Sequence, residues 1–317
     1  MRYHVLRAKL RLARARYLAS RAGLAVLDTL FAAITLGALR LARRADPDRM
    51  SDVMGAIARK AGPYLPVSKT GRANLRAAFP SKTDAEIEAL LAGCWENLGR
   101  VAGEFAHLDR LWDFAGTEPK PGGRIDSPSS KLYGQLRDDG KPALVFAAHL
   151  ANWELPAVAA AAHGMKAAVL YRAPNNLKIA AAIETVRQNS MGSLIASGPD
   201  AVLTMAAVLE RGEHLGMLVD QRFGRGVPVT FFGRRCMANP TIARLARLYP
   251  DVPVHGVRVI RLPEHKFRLE LTDRIELPRE ADGTVDIQAS MQLITSMIEG
   301  WVREYPEQWL WLHRRWR

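Results

Sequence analysis

The stretch Ala143-Leu144-Val145-Phe146-Ala147-Ala148-His149-Leu150-Ala151-Asn152-Trp153-Glu154 decides how this chain is read. Six apolar residues in a row are too few for a membrane span and suit a strand buried on both faces. Asn152 is a good N-cap, so a helix is expected from there to about Ala162. Downstream the same alternation continues. Strands are expected at Lys166–Tyr171, Ser193–Ser197, 215–219, Val252–Ile260 and Phe267–Leu271. Helices are expected at Leu177–Asn189, 200–211, Thr241–Leu248 and Gln288–Tyr305. Strands alternating with helices of about a dozen residues predict an α/β fold, a mainly parallel sheet flanked by helices. Ligands in such folds sit outside the carboxyl ends of the strands. His149 falls at one of those ends.

Upstream, residues 48–115 read as helices. Asn74-Leu75-Arg76-Ala77-Ala78-Phe79-Pro80 closes one of them, because Pro80 cannot continue it and restricts Phe79. Thr83-Asp84-Ala85-Glu86 has the capping-box pattern that opens the next. Residues 117–131 are loop by composition. The expected division is 1–45, a basic N-terminus with an anchor helix; 46–130, a helical region; and 131–317, the α/β core. Residues 46–317 are expected to form one catalytic domain.

The N-terminus points to a membrane. Seven Lys and Arg residues and no acidic residue occupy positions 1–21. The run Ala22–Leu39 is apolar except for Asp28, Thr29 and Thr35. It fits a spanning helix at the lower length limit; its helical periodicity also fits an in-plane amphipathic helix, and a buried core helix is the third alternative. Overall, 45 Lys+Arg against 32 Asp+Glu give a formal net charge of +13, which favours an anionic partner. Two distant cysteines, Cys94 and Cys236, offer neither a disulfide framework nor a zinc pattern. A G-x-S-x-G elbow, an H-E-x-x-H motif and both glycine-rich nucleotide loops are absent. No metal and no cofactor are therefore expected, and the anchor-like run disfavours a nucleic-acid partner.

The chemistry is expected at His149 and Glu154. A carboxylate in the first turn of a helix, folded back onto an imidazole, fixes its tautomer and leaves the other ring nitrogen to accept a substrate proton. By spacing alone, H-x4-E also fits a capping carboxylate beside a structural histidine. Arg172 and Arg222 suit phosphate or carboxylate binding through their planar forks. Asp220 closes a strand and can orient an arginine. Phe231 and Phe232, set among glycines, suit either a mobile wall of an acyl pocket or a core turn. Trp309, Trp311 and Trp316, interleaved with Arg314, Arg315 and Arg317, suit either an interfacial belt or a packed final segment.

Several stretches in order resemble the late (lauroyl/myristoyl) acyltransferases of lipid A assembly, within the wider H-x4-[D/E] acyltransferase superfamily. They include Asn97-Leu98-Gly99-Arg100…Glu104, His149…Asn152-Trp153-Glu154, Tyr171-Arg172-Ala173-Pro174-Asn175-Asn176, Arg187-Gln188-Asn189, Asp220-Gln221, Pro228…Phe231-Phe232-Gly233 and Tyr305-Pro306-Glu307-Gln308-Trp309-Leu310-Trp311. The resemblance implies transfer of a fatty acyl chain from an acyl carrier protein (or CoA) thioester. The acceptor it implies is the hydroxyl of a 3-hydroxyacyl chain on a lipid A precursor, at the cytoplasmic face of the bacterial inner membrane. It carries a catalytic role onto His149 and Glu154 and a functional role onto Arg187 and Asp220. The competing readings are an acyltransferase for another glycolipid, phospholipid or amino-acid lipid, and a basic membrane-surface or nucleic-acid-binding protein. Glycerophosphate acyltransferases usually carry Asp where this chain has Glu154, and their downstream motifs are missing.

Overall fold

The computed structural model describes residues 29, 32–114, 118–174 and 176–316. Half of the apolar run expected as an anchor lies outside them; the other half falls at residue 29 and in α1, the helical residues 32–42. Among the described residues no helix is long and apolar enough to cross a membrane.

Three helices follow: α2 (Pro47–Ala61), α3 (Ser68–Ala78) and α4 (Asp84–Phe105). Each starts or stops where local chemistry directs it. Asp46 accepts from the N–H groups of Asp48 and Arg49 ahead of Pro47. The chain leaves α3 two residues before Pro80. The capping box forms, with Thr83 and Glu86 satisfying one another's backbone N–H. Helices α2 and α4 then pack in direct contact, because Gly99 leaves no side chain between them. A Cβ there would stand 2.3 Å from the carbonyl oxygen of Met54.

A short α5 (Leu108–Leu111) leads to the sheet region: β1 (Ile125–Asp126), α6 (Ser130–Asp138), β2 (Leu144–Ala147), α7 (Leu155–Ala162), β3 (Ala167–Tyr171), α8 (Leu177–Met191), β4 (Ser193–Ala196), α9 (Ala201–Glu210) and β5 (His214–Leu218). A hairpin follows, β6 (Arg222–Phe231) and β7 (Arg234–Ala238), then α10 (Thr241–Leu248), β8 (Val254–Arg261), β9 (Phe267–Leu271) and α11 (Ile287–Glu304). The main sheet has the order β1-β9-β8-β2-β5-β3-β4. Strands β8, β2, β5, β3 and β4 are parallel, and β9 turns back antiparallel to β8. The mostly parallel sheet flanked by helices is thus present. One piece differs from the sequence reading: residues 117–131, read as loop, contain β1 and the start of α6. The glycine-rich 223–233 stretch is strand and a hairpin turn packed in the core.

Strand β2 is the hinge of this topology. Leu144 and Phe146 enter the core shared with α3, α4, α9, α10 and α11, while Val145 and Ala147 face α6, α7 and α8. Both faces are covered, which is why the run is apolar without alternation. After β2 the chain builds β3 and β4 on one side; it later returns to place β5 and β8 on either side of β2. The carboxyl end of β2 is therefore the point where the strand order reverses, where a crevice opens in doubly wound sheets. His149 lies two residues beyond it.

Candidate active site

Sheet register explains what His149 meets. Ala147 of β2 pairs with Leu218 of the parallel neighbour β5. Two residues past each lie His149 and Asp220, side by side. Imidazole Nδ1 is 2.8 Å from Asp220 Oδ1, and the backbone N–H of His149 donates to Oδ2 at 2.9 Å. The indole Nε1–H of Trp309 donates to the same Oδ2 at 2.7 Å. Asp220 is buried. Burial alone would raise its pKa, but the adjoining His149 and these three hydrogen bonds overcome it and hold the carboxyl at about 2. An ionised carboxylate only accepts, so Nδ1 is the donor in this contact, and in the neutral ring that leaves the lone pair on Nε2. The side-chain nitrogen of Gln221 lies 3.3 Å from Nε2. The ring of Trp153 packs 5.2 Å away.

Glu154, the partner expected for His149, is elsewhere engaged. Both of its oxygens accept from Arg187, Oε2 from Nε at 3.1 Å and Oε1 from Nη2 at 2.5 Å. The cause is the path of the chain. After His149, Ala151 takes a left-handed φ of 48°, and Leu150 and Ala151 turn into the 305–311 segment. Asn152 does not cap α7 itself; its side-chain oxygen accepts from Glu154 N–H in the turn before it. Glu154 is left at the N-terminus of α7, facing α8, which brings Arg187. The Arg187 guanidinium also stands 5.7 Å from the rings of Phe105 and Tyr171.

A second buried network holds the turn in place. Asn97 on α4 donates to the carbonyls of Ala151 and Gln308 at 3.1 Å each. Glu104, about two turns further along α4, accepts from Asn152 at 2.8 Å and Ser51 at 2.7 Å. Arg261 closes the network through Glu104 and Asn97. Gln308 exchanges two bonds with the Arg261 backbone. The helical region thus reaches across to fix the backbone of the turn after His149. Removing one partner of such a buried pair strands the other charge. Arg261→Met is expected to cost about 3–5 kcal/mol in denaturant unfolding, well above a surface arginine such as Arg279→Met.

A cavity of about 450 Å³ opens beside His149 and runs along the sheet under α6, α7 and α8. Its floor comes from the alternate residues that face those helices: Val145 and Ala147 on β2, Val169 and Tyr171 on β3, Gly216 and Leu218 on β5. Tyr133, Leu136 and His214 stand where the strands begin, at its far end. From His214 to the level of His149 is about six strand residues, roughly 20 Å. Glu154, Arg187 and exposed Arg172 lie at the mouth with His149 and Gln221.

The other expected site residues are placed differently. Arg222 is half-buried at the start of β6, outside the cavity lining. Phe231 and Phe232 do not line the cavity. Their hairpin folds back on α11, and both rings are buried against Trp309, Trp311, Trp316 and Phe79. The tryptophans form no interfacial belt: Trp309, Trp311 and Trp316 are 3%, 0% and 8% exposed, and Arg315 is buried with them over the Phe231 ring. Trp309 and Gln221 were not singled out from sequence as site residues. The available signal was positional, since Asp220-Gln221 follows its strand as His149 follows β2.

A histidine paired with a buried carboxylate, at the mouth of a long apolar cavity, is an arrangement suited to acyl transfer. Comparison with known proteins makes this specific. The family model for bacterial lipid A biosynthesis acyltransferases matches residues 22–317, and the chain belongs to that family. It is 24% identical over 246 residues to the lipid A biosynthesis myristoyltransferase of Escherichia coli strain K12, covering 75% of this chain and 72% of that protein. It is 22% identical over 251 residues to the lipid A biosynthesis acyltransferase of Haemophilus influenzae, with the same coverage of both chains.

Proposed function

We propose that this enzyme moves a fatty acyl chain from an acyl carrier protein or CoA thioester to the hydroxyl of a 3-hydroxyacyl chain on a lipid A precursor. We place it at the cytoplasmic face of a bacterial inner membrane, held there by its N-terminal segment. The observation that carries this reading is the His149–Asp220 pair at the mouth of the long apolar cavity.

In this mechanism the donor chain fills the cavity and its thioester carbonyl rests beside His149. The acceptor hydroxyl takes the place of the Gln221 amide at Nε2. His149 removes its proton as the oxygen attacks the carbonyl, and Asp220 stabilises the imidazolium that forms. Collapse of the tetrahedral intermediate expels the thiolate, which takes that proton from His149 and leaves as the thiol. The oxyanion needs a donor in a site shielded from water. Arg187 spends Nε and Nη2 on Glu154, which leaves Nη1 for that task. Glu154 is thereby a residue that positions Arg187.

The test uses detergent-solubilised protein, acyl carrier thioesters from C10 to C18 and a tetra-acylated lipid A precursor, read by mass spectrometry. Wild type is expected to add one acyl chain. His149→Ala is expected to lose about 10²–10⁴ in turnover. No addition by wild type with any donor would overturn the substrate assignment. Near-wild-type turnover by His149→Ala would overturn the mechanism.

A further inference from the structure

Residues 221–250 contain six arginines (Arg222, Arg225, Arg234, Arg235, Arg244 and Arg247) and no acidic residue. Most arginines elsewhere in the described structure have a carboxylate partner, whereas among these six only Arg247 does. One of the unpaired ones, Arg222, directly follows Gln221 at the site, and Arg225 lies three residues beyond it in the same loop.

The start of β6 is bulged: Arg222 and Val227 both pair with Ala238, so residues 223–226 loop outward. Gly226 makes this possible, since a Cβ there would lie 1.9 Å from the Ala238 carbonyl oxygen. The loop projects Phe223, 41% exposed, and exposed Arg225 into solvent. The Arg222 guanidinium lies under it, about 4 Å from where a Gly224 Cβ would stand. Gln221, the residue before the bulge, touches His149 Nε2. Asp220 is committed to His149 and Trp309, and Glu299 of α11 to Arg303 and the hairpin turn. No carboxylate of the described residues neutralises Arg222 or Arg225. Arg222 also acts with burial, His149 and Arg315 to hold neighbouring His313 below its ordinary pKa.

We propose that the 222–226 bulge is the binding site for a phosphate group on the headgroup of the acceptor lipid, held by Arg222 and Arg225 with Phe223 against the adjoining sugar or acyl surface. Two guanidinium forks without carboxylate partners, one and four residues after the Gln221 that touches His149, match a phosphate on the same molecule as the reacting hydroxyl. The proposal rests on the acyl-transfer reading above and extends it to acceptor recognition.

The test compares wild type, Arg225→Gln and Arg222→Gln/Arg225→Gln in neutral detergent, with phosphorylated and enzymatically dephosphorylated acceptor. Arg225 is exposed, so its replacement leaves the fold intact. The expected result is a rise in KM for the phosphorylated acceptor of about ten- to hundredfold, with KM for the thioester donor unchanged. Wild type should show the same raised KM with dephosphorylated acceptor, and the variants no further change. A rise in donor KM instead would assign the surface to the carrier and overturn the proposal, as would no change in either constant. A defect seen only on anionic phospholipid vesicles, and absent in neutral detergent, would assign it to bulk lipid headgroups and also overturn it. Failure of wild type to acylate either acceptor would instead count against the proposed function.

Discussion

Asp220→Asn is expected to lower kcat by about 10³–10⁴ with little change in KM, because a neutral amide no longer holds the imidazole in its productive tautomer. An asparagine turned to accept from Trp309 offers its NH₂ to Nδ1. That moves the ring proton to Nε2, the atom that must accept from the acceptor hydroxyl. The imidazolium formed during attack also loses its counter-charge. Glu154→Gln should do less, about ten- to hundredfold, since the amide oxygen still binds one arm of Arg187. The ranking is the decisive measurement: if Glu154→Gln is as damaging as Asp220→Asn, the assignment of orienter is wrong. The pH profile offers a second check. Asp220 is held at about 2, so it stays charged as pH falls through the ordinary carboxylate range. Any acid limb of kcat/KM above roughly pH 4 in wild type therefore reports a group other than Asp220.

Gly216→Leu is expected to shift donor preference from longer to shorter acyl chains. Gly216 lies on the cavity floor, two residues from His214 at the far end. A Cβ built there meets Val169 Cγ1 at 3.5 Å and nothing closer, so the strand accepts a side chain. A leucine extends from it into the void and closes the deeper part. A donor chain then forfeits burial of about four methylenes at roughly 0.8 kcal/mol each, close to 3 kcal/mol or about a hundredfold in kcat/KM. Donors short enough to end above residue 216 should keep their rates. Competition between C10 and C16 thioesters reads this directly, and unchanged preference would mean the chain does not occupy this cavity.

Much of this architecture is readable before any coordinates. Runs such as 143–148 and 167–171 are apolar without alternation because helices cover both faces, and the capping box at Thr83 marks its helix by local chemistry alone. The hairpin was hidden because Gly224, Gly226 and Gly233 serve a bulge and a tight turn, signals that composition cannot separate from loop. The two-residue β1 is held by its pairing to β9, far away in sequence. At the site, His149 and its place at a strand end were legible. Its partner was not, because sheet register decides which residue lies beside it, and short spacing favoured Glu154. Phe231, Phe232 and the tryptophans were ambiguous for a related reason: aromatic residues look alike whether they line a pocket or fill a core.

Trp309 carries a consequence for how the enzyme comes into being. Synthesis runs from the N-terminus, so strands β2 to β9 can leave the ribosome while residues 305–311 are still inside the exit tunnel. At that stage the imidazole has its carboxylate. The carboxylate lacks the indole N–H, the turn after His149 lacks the backbone of Gln308 and Leu310, and Asn97 and the Arg261 backbone lack their bonds to Gln308. The hydrogen-bond network around His149 and Asp220 is thus completed only once residues 305–311, close to the end of the matched sequence, have emerged.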